Sequence, residues 1–175
     1  MGRLLKLLSI VVFIIMYSCD NKSQINSQVV DKKIIRESMI ENNIELLSHE
    51  SNLIDEYVKQ NDLNVVRTGT GLRYNIINSG EGDFIRKGDI ITLQYEISLL
   101  NGNVIYSSEK DGYKTFVVGR GGVESGLEEA VLKLKRNSEA ILILPSHLAH
   151  GYVGDGNKIS HMNTLVYKVK IIDIK

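Results

Sequence analysis

Between Ile91 and Leu99 the chain alternates with a strict period of two. Ile91, Leu93, Tyr95, Ile97 and Leu99 are apolar, and Thr92, Gln94, Glu96 and Ser98 between them are polar. That period belongs to a β-strand with one face on a core and the other in water; a helix cannot gather it onto one side. The strand runs straight into "LNGN", Leu100 to Asn103, whose central Asn-Gly pair marks a hairpin turn and therefore an antiparallel neighbour, the short return strand Val104 to Ser107. The alternation recurs at Leu72, Tyr74 and Ile76. It appears again at Leu165, Tyr167, Val169 and Ile171, where Lys168 and Lys170 fall on the solvent side. "TFVVG" and "EAILIL" read as further strands. Across these roughly 110 residues only Glu124 to Lys135 carries a helical period, with Leu127, Val131 and Leu134 on one face and Ala130 beside them. Five to six short strands in hairpins with one short helix predict an α+β domain, an antiparallel sheet with that helix on one face.

The chain before this domain follows other rules. From Lys32 onward Ile40, Ile44, Leu47, Ile54 and Val58 recur at steps of four and three. Ser51 fills the gap, and Met39, Leu46 and Leu53 flank the stripe. With no Gly or Pro inside it, this spacing predicts a long amphipathic helix over 32–62. Two readings of the stripe stand side by side: packing on the chain's own domain, or a homodimer through 32–60, since the spacing is nearly heptad. Residues 20–31 are polar and unpatterned and read as a flexible tether. Before them, Arg3 and Lys6 precede an apolar run from Leu7 to Met16 broken only by Ser9. The run falls short of the about 20 residues a membrane span needs and reads as an export signal.

That run ends in "MYSC". A small residue directly before a cysteine resembles the bacterial lipobox, in which the peptide is cut before the cysteine and the thiol acylated. Met16 stands where Leu is usual, and Tyr17 is bulkier than the pattern's norm. The resemblance implies a lipoprotein signal peptide over 1–19, Cys19 as the lipidated residue, and a lipid-anchored, periplasm-facing place on a membrane of the cell envelope. Cys19 is the chain's one cysteine, which excludes an intrachain disulfide and a thiolate zinc site. Acylation would also remove an otherwise free thiol from an exported protein.

Charge and motifs exclude several functions. Setting aside Arg3 and Lys6, the 21 basic residues become 19 against 21 acidic ones, a balance that offers nucleic acid no basic patch. "GRGG" at Gly119 to Gly122 lacks the lysine and spacing of a phosphate loop, and "GDGN" at Gly154 to Asn157 offers one carboxylate for calcium. No serine sits in G-x-S-x-G. "LPSHLAHGYVGDGNKISH", Leu144 to His161, holds three of the four histidines, and His147 and His150 lie three apart. No Asp or Glu stands at an evident third-ligand position, so the stretch is a weak metal motif.

Taken whole, the pattern resembles the FKBP-type peptidyl-prolyl isomerases. "LPSHLAHGYVGDG…IS…NTLVYKVKIIDI" is similar to their C-terminal signature, a strand ending in I-P, then S-x-x-A-Y-G, a glycine-rich loop and N-x-x-L-x-F-x-V-x-L. "KGDIITLQYEISLLNGNVIYSS" resembles their K-G-D-x-V-x-V-x-Y segment with its turn. "FVVGRGGVESGLEEAVLKLKRN" resembles the F-x-x-G…V-I-x-G-[WL]-x-E-A-L-x-x-M helix. These three motifs run collinearly from Leu72 to Ile174. The lipid-type N-terminus, the long helix and "YVGDGNKI" also look like the gliding-motility-associated branch of these lipoproteins.

The resemblance implies an FKBP-like isomerase domain over 65–175, with proline-containing polypeptides as clients and no cofactor or metal. It places the pocket floor and walls at Tyr95, Ile105, Phe116, Val123, Leu127, Ile159 and Tyr167. The backbone N–H of Glu124, where the family has Ile, becomes the donor to a client carbonyl. Tyr106 stands where the family has a pocket Asp, and His150 where it has a loop tyrosine. With Tyr95 and Tyr167 these two make up the candidate catalytic set. The two departures leave two readings open: an isomerase that assists folding of exported or envelope proteins, gliding machinery among them, or a catalytically weak chaperone or assembly module on the same fold.

Overall fold

A computed structural model describes the backbone of residues 22–175 and the side chains from residue 32 onward. The segment read as a signal peptide, 1–19, with Cys19, lies outside the described residues. The chain divides into two compact units, one ending at Leu46 and one running from Leu47 to Lys175.

Helix α1 spans Lys22–Gln60. It begins ten residues before the expected Lys32, so most of the stretch read as a flexible tether is helical backbone. The reason lies in composition. "KSQINSQVVD" has no Gly or Pro and several good helix formers, and its lack of an apolar stripe speaks about packing rather than about helix formation. The C-terminus is a Schellman cap. Asp62 takes φ 51, Leu63 N–H donates to Val58 O at 3.0 Å, and Asp62 N–H donates to Lys59 O at 3.3 Å. Within the first unit Ile34, Ile35, Met39, Ile40 and Ile44 are exposed.

In the second unit the strands are β1 (Val66–Arg67), β2 (Arg73–Asn78), β3 (Glu81–Phe84), β4 (Ile90–Leu99), β5 (Val104–Ser107), β6 (Lys114–Val117), β7 (Lys135–Arg136), β8 (Glu139–Leu144) and β9 (Leu165–Ile174). Seven of them form one antiparallel sheet in the order β1-β2-β8-β9-β4-β5, with β6 also on β4, and β3 pairs with β7 separately. The predicted strands are all present. The β3–β7 ribbon escaped prediction because Glu81 to Phe84 is exposed throughout and shows no alternation. The Asn101-Gly102 turn forms as expected, with Gly102 at φ 84. One-turn helix α2 (Ser108–Asp111) is too short to leave a period in the sequence.

Helix α3 (Ser125–Val131) covers one sheet face, burying Leu127, Ala130 and Val131. It is shorter than the predicted 124–135. After Val131 the chain tightens into three-residue bonds, Lys133 N to Ala130 O and Leu134 N to Val131 O, which still seat Leu134 in the core. Gly126 allows the close approach: a Cβ there would meet Leu144 Cγ at 2.6 Å. Ile91, Leu93, Tyr95, Ile97, Leu142, Leu144, Leu165, Tyr167, Val169 and Ile171 complete this core.

The opposite face is covered by the end of α1. Ile54, Ile143 and Val166 form a second apolar cluster, joined by Tyr57, Val58 and Leu63. Beside it Arg73, 1% exposed, is held on five counts: two bonds to Asp55 Oδ1, one each to Ser51 O and Oγ, and one to Gly71 O. Residues 47–60 are therefore part of the domain. Burying Ile54 alone contributes about 1.5–3 kcal/mol.

Candidate functional site

Antiparallel partners project to the same face of a sheet, so the register lays the site out in rows. Tyr106, Ile97, Tyr167 and Leu142 form one row across β5, β4, β9 and β8. Tyr95, Val169 and Ala140 form the next core-facing row. On β6, Lys114 stands opposite Leu93 and Phe116 opposite Ile91. Helix α3 adds Leu127 from below. Tyr95, Phe116, Leu127, Ile159 and Tyr167 are buried in one apolar cluster, and Ile105, Tyr106 and Val123 pack partly buried against it. The predicted floor and wall positions are thus brought together.

The surprise is what Glu124 contributes. It caps α3 with its backbone, φ −60 and ψ 140, and its carbonyl accepts from Leu127 N and Glu128 N, each at 3.0 Å. Its side chain turns into the aromatic cluster and is 6% exposed. Oε1 accepts the Tyr167 hydroxyl at 2.6 Å and lies 3.1 Å from His150 Nε2. Oε2 has no hydrogen-bond partner among the described residues, and the Lys114 ammonium stands 3.7 Å from it. The same ammonium lies 5.3 Å from the Tyr95 ring centre and 5.9 Å from that of Tyr167.

The electrostatics follow from this arrangement. Burial acts to raise the Glu124 pKa, but Lys114, the Tyr167 hydroxyl, Glu124's own backbone N–H and His150 outweigh it and hold the carboxyl below its ordinary range. Tyr167 is pushed well above 10 by burial and by the adjacent carboxylate. Tyr95 is raised by burial, then by Asp111 and Glu124. Both phenols stay protonated donors at neutral pH, and the cluster holds one carboxylate charge against one lysine.

The loop between β8 and β9 forms the roof. After β8, Pro145 leads into a short 3-10 turn, Ser146–Leu148. Farther on, Asp155 accepts the backbone N–H of Asn157 and of Ile159, each at 2.8 Å, and the Tyr106 hydroxyl. Burial would raise the Asp155 pKa; the Tyr106 hydroxyl, those two N–H groups and His150 outweigh it and bring it down to about 2. Tyr106 therefore ties strand β5 to the loop, and Lys158 lies over its ring at 4.7 Å. Gly154, at φ +75, leaves no room for a side chain, since a Cβ would sit 2.2 Å from Ile159 O.

The three loop histidines part company. His147 is exposed, its Nε2 2.9 Å from Thr70 O, and His161 faces Tyr152 with ring centres 6.0 Å apart. His150 alone joins the cluster. Lys114, Asp155 and the Glu124 side chain are functional candidates that sequence reasoning missed. Lys114 gave one signal, an i,i+2 spacing from Phe116 that puts both on one strand face.

Residues 82–172, more than half the chain, match the family model described as FKBP-type peptidyl-prolyl cis-trans isomerase. The chain belongs to this FKBP-type family. It is 40% identical over 111 residues to a protein named probable FKBP-type peptidyl-prolyl cis-trans isomerase FkpA from Neisseria meningitidis serogroup B, covering 63% of this chain and 40% of that one. It is 34% identical over 112 residues to the outer membrane protein MIP of Legionella longbeachae, covering 63% and 47%. The chain thus spans less than half the length of either relative. Among solved structures, FkpA from Escherichia coli superposes with a TM-score of 0.64 at 22% identity, covering 97% of this chain and 81% of that one, and shares the FKBP fold. The family match encloses every predicted site residue in the sheet, α3 and the roof loop.

Proposed function

We propose that this chain isomerises X–Pro bonds in polypeptide clients by a non-covalent route. Rotation about such a bond crosses about 18–20 kcal/mol because amide resonance is lost in the twisted state. No bond breaks, so the chemistry asks for no nucleophile. It asks for an apolar hollow that strips water from the imide, whose twisted form is less charge-separated than the planar one. The observation that carries the reading is the gathering of Tyr95, Phe116, Leu127, Ile159 and Tyr167 into one cluster inside the FKBP match. In this scheme those five line the floor, Ile105 and Val123 form walls, and the Glu124 N–H and His150 face the client carbonyl. Tyr106 acts through Asp155, holding the roof loop over the hollow. The reading is tested by the cis-to-trans rate of a short proline peptide, which the protein should raise above background.

A second reading, a binding module with weak turnover, is favoured by one specific feature. The Glu124 carboxylate, bound to the Tyr167 hydroxyl and flanked by Lys114 and His150, puts a buried charge into the apolar cluster that a prolyl ring would enter. Tight binding of a proline peptide without rate enhancement would select this reading.

For the whole protein we propose lipid attachment at Cys19 and a place on the cell envelope, where it assists exported proteins, gliding machinery among them. The envelope location of a MIP relative supports this. Cys19→Ala should abolish incorporation of labelled fatty acid. We further propose a homodimer through α1, supported by the exposed Ile34, Ile35, Met39, Ile40 and Ile44. Sedimentation of the full chain should then give twice the monomer mass.

A further inference from the structure

The roof loop is held at both stems by a residue that belongs to neither stem. Glu50, on α1, is 8% exposed and lies about a hundred positions from its partners. Its Oε1 accepts Ser146 N–H at 2.7 Å and the Thr164 hydroxyl at 2.6 Å, and its Oε2 accepts the Ser146 hydroxyl at 3.0 Å. Ser146 follows the end of β8 and Thr164 directly precedes β9, so one carboxylate bridges the two ends of the segment that carries His150, Asp155 and Ile159.

The bridge continues into the loop. Ser146 O accepts Gly151 N–H at 2.8 Å, and Gly151 O accepts Met162 N–H at 2.9 Å. An unbroken hydrogen-bonded path therefore runs from Glu50 to the residue adjoining His150. Both stem residues are buried, Ser146 at 4% exposed and Thr164 at 6%. Without the carboxylate, these buried N–H and hydroxyl groups lose their acceptor. Glu50 is itself fixed, because Ser51 beside it and Asp55 beyond it both hold the buried Arg73.

We propose that Glu50 is a positioning residue for the prolyl site, acting through Ser146 and Thr164 to set where His150 and Ile159 stand over the hollow. This rests on the isomerase reading above. It makes the end of α1 a working part of the site, so that whatever engages the helix reaches the roof loop by this path. The hydrogen bonds of Glu50 go to the two stems of the loop, so its effect falls on client binding: the roof wanders, while the floor of Tyr95, Phe116, Leu127 and Tyr167 stays in place.

The test compares Glu50→Ala, Glu50→Gln and Ile54→Ala in the full chain, by amide hydrogen exchange and by peptide isomerisation. Gln keeps an oxygen for Ser146 N–H and the Thr164 hydroxyl, and its amide N–H can donate to Ser146 Oγ, so it should restore the loop. Ile54→Ala loosens the helix without removing the bridge and controls for lost stability. In Glu50→Ala, exchange at Gly151, Ile159 and Met162 should speed up while β4 and β9 amides keep their rates, and kcat/KM should fall roughly tenfold through KM, a loss in the range of a wall displaced by under an ångström. Unchanged loop exchange in Glu50→Ala, a loss that Gln does not rescue, or an equal KM change in Ile54→Ala would overturn the proposal. Faster loop exchange with unaltered KM would overturn it too. A wild-type chain that loosens on Glu50→Ala but neither isomerises nor binds a proline peptide would instead sink the isomerase reading, and the positioning role with it.

Discussion

Glu124 and Tyr167 can be removed separately and together, and the outcome depends on whether they act as one unit. In Glu124→Ile the Tyr167 hydroxyl, on a residue with no exposed surface, loses the acceptor 2.6 Å away. A buried donor left unpaired costs about 1–3 kcal/mol. In Tyr167→Phe the carboxylate keeps Lys114 and His150 but loses a hydrogen bond to a charged acceptor, worth about 1.5–3 kcal/mol. The double variant removes both groups and leaves apolar side chains of similar size, a change that can be nearly neutral. Its loss should therefore be smaller than the sum of the two single losses by about 1.5–3 kcal/mol. Urea unfolding of the four proteins measures the coupling, provided the transitions share one slope. Additivity to within about 0.5 kcal/mol would refute the idea that the pair is a single buried device. The double variant also leaves the hollow free of carboxylate, so its kcat/KM on a neutral proline peptide should rise above that of the wild type.

Other expectations concern acid, the helix and the roof. Asp155, with its pKa near 2 in the folded chain against an ordinary 3.8, stabilises the roof above pH 3.8, and that contribution is lost as pH falls toward 2. Tyr106→Phe should move the Asp155 titration, followed by carboxylate carbon chemical shift, up toward 3.8; an unmoved titration would show that the hydroxyl does not hold the loop. The Glu124 pKa is also depressed, so its stabilisation is full above the ordinary carboxylate range and disappears as pH drops through its folded value. Glu124→Gln should flatten that acid limb of a thermal-stability profile. Ile54→Ala should cost about 2–5 kcal/mol in the same domain transition; a loss under about 1 kcal/mol would mean that the end of α1 is not part of the core.

How much of this could be read in the sequence depends on the period each residue sits in. Ile91 to Leu99 declared its face, and Asn101-Gly102 declared its turn, because backbone pleat and turn conformation are local requirements. The floor residues were legible for the same reason, since Tyr95, Phe116 and Tyr167 occupy core-facing positions of strands. The second sheet face was not. Ile143 and Val166 fall in runs whose partners read as the buried set, and Arg73 sits between apolar neighbours where a charge reads as solvent-facing. All three are buried because α1 covers them, and nothing near them in the chain says so. Glu50 was hidden by the same distance, with partners 96 and 114 positions away. The start of α1 was missed because absence of an apolar stripe was read as absence of helix. Glu124 shows a different limit: its backbone role followed from the motif, but its side-chain direction depends on Tyr167, His150 and Lys114 arriving from three other elements.

The most direct test of the account is the cis-to-trans rate of a short X–Pro peptide in the presence of the full chain, with Tyr167→Phe/Glu124→Ile beside it. A rate above the uncatalysed background is predicted for the wild type and a higher one for the double variant, because the buried carboxylate is then gone from the aromatic cluster. A wild-type rate equal to background, together with no binding of the peptide, would contradict it.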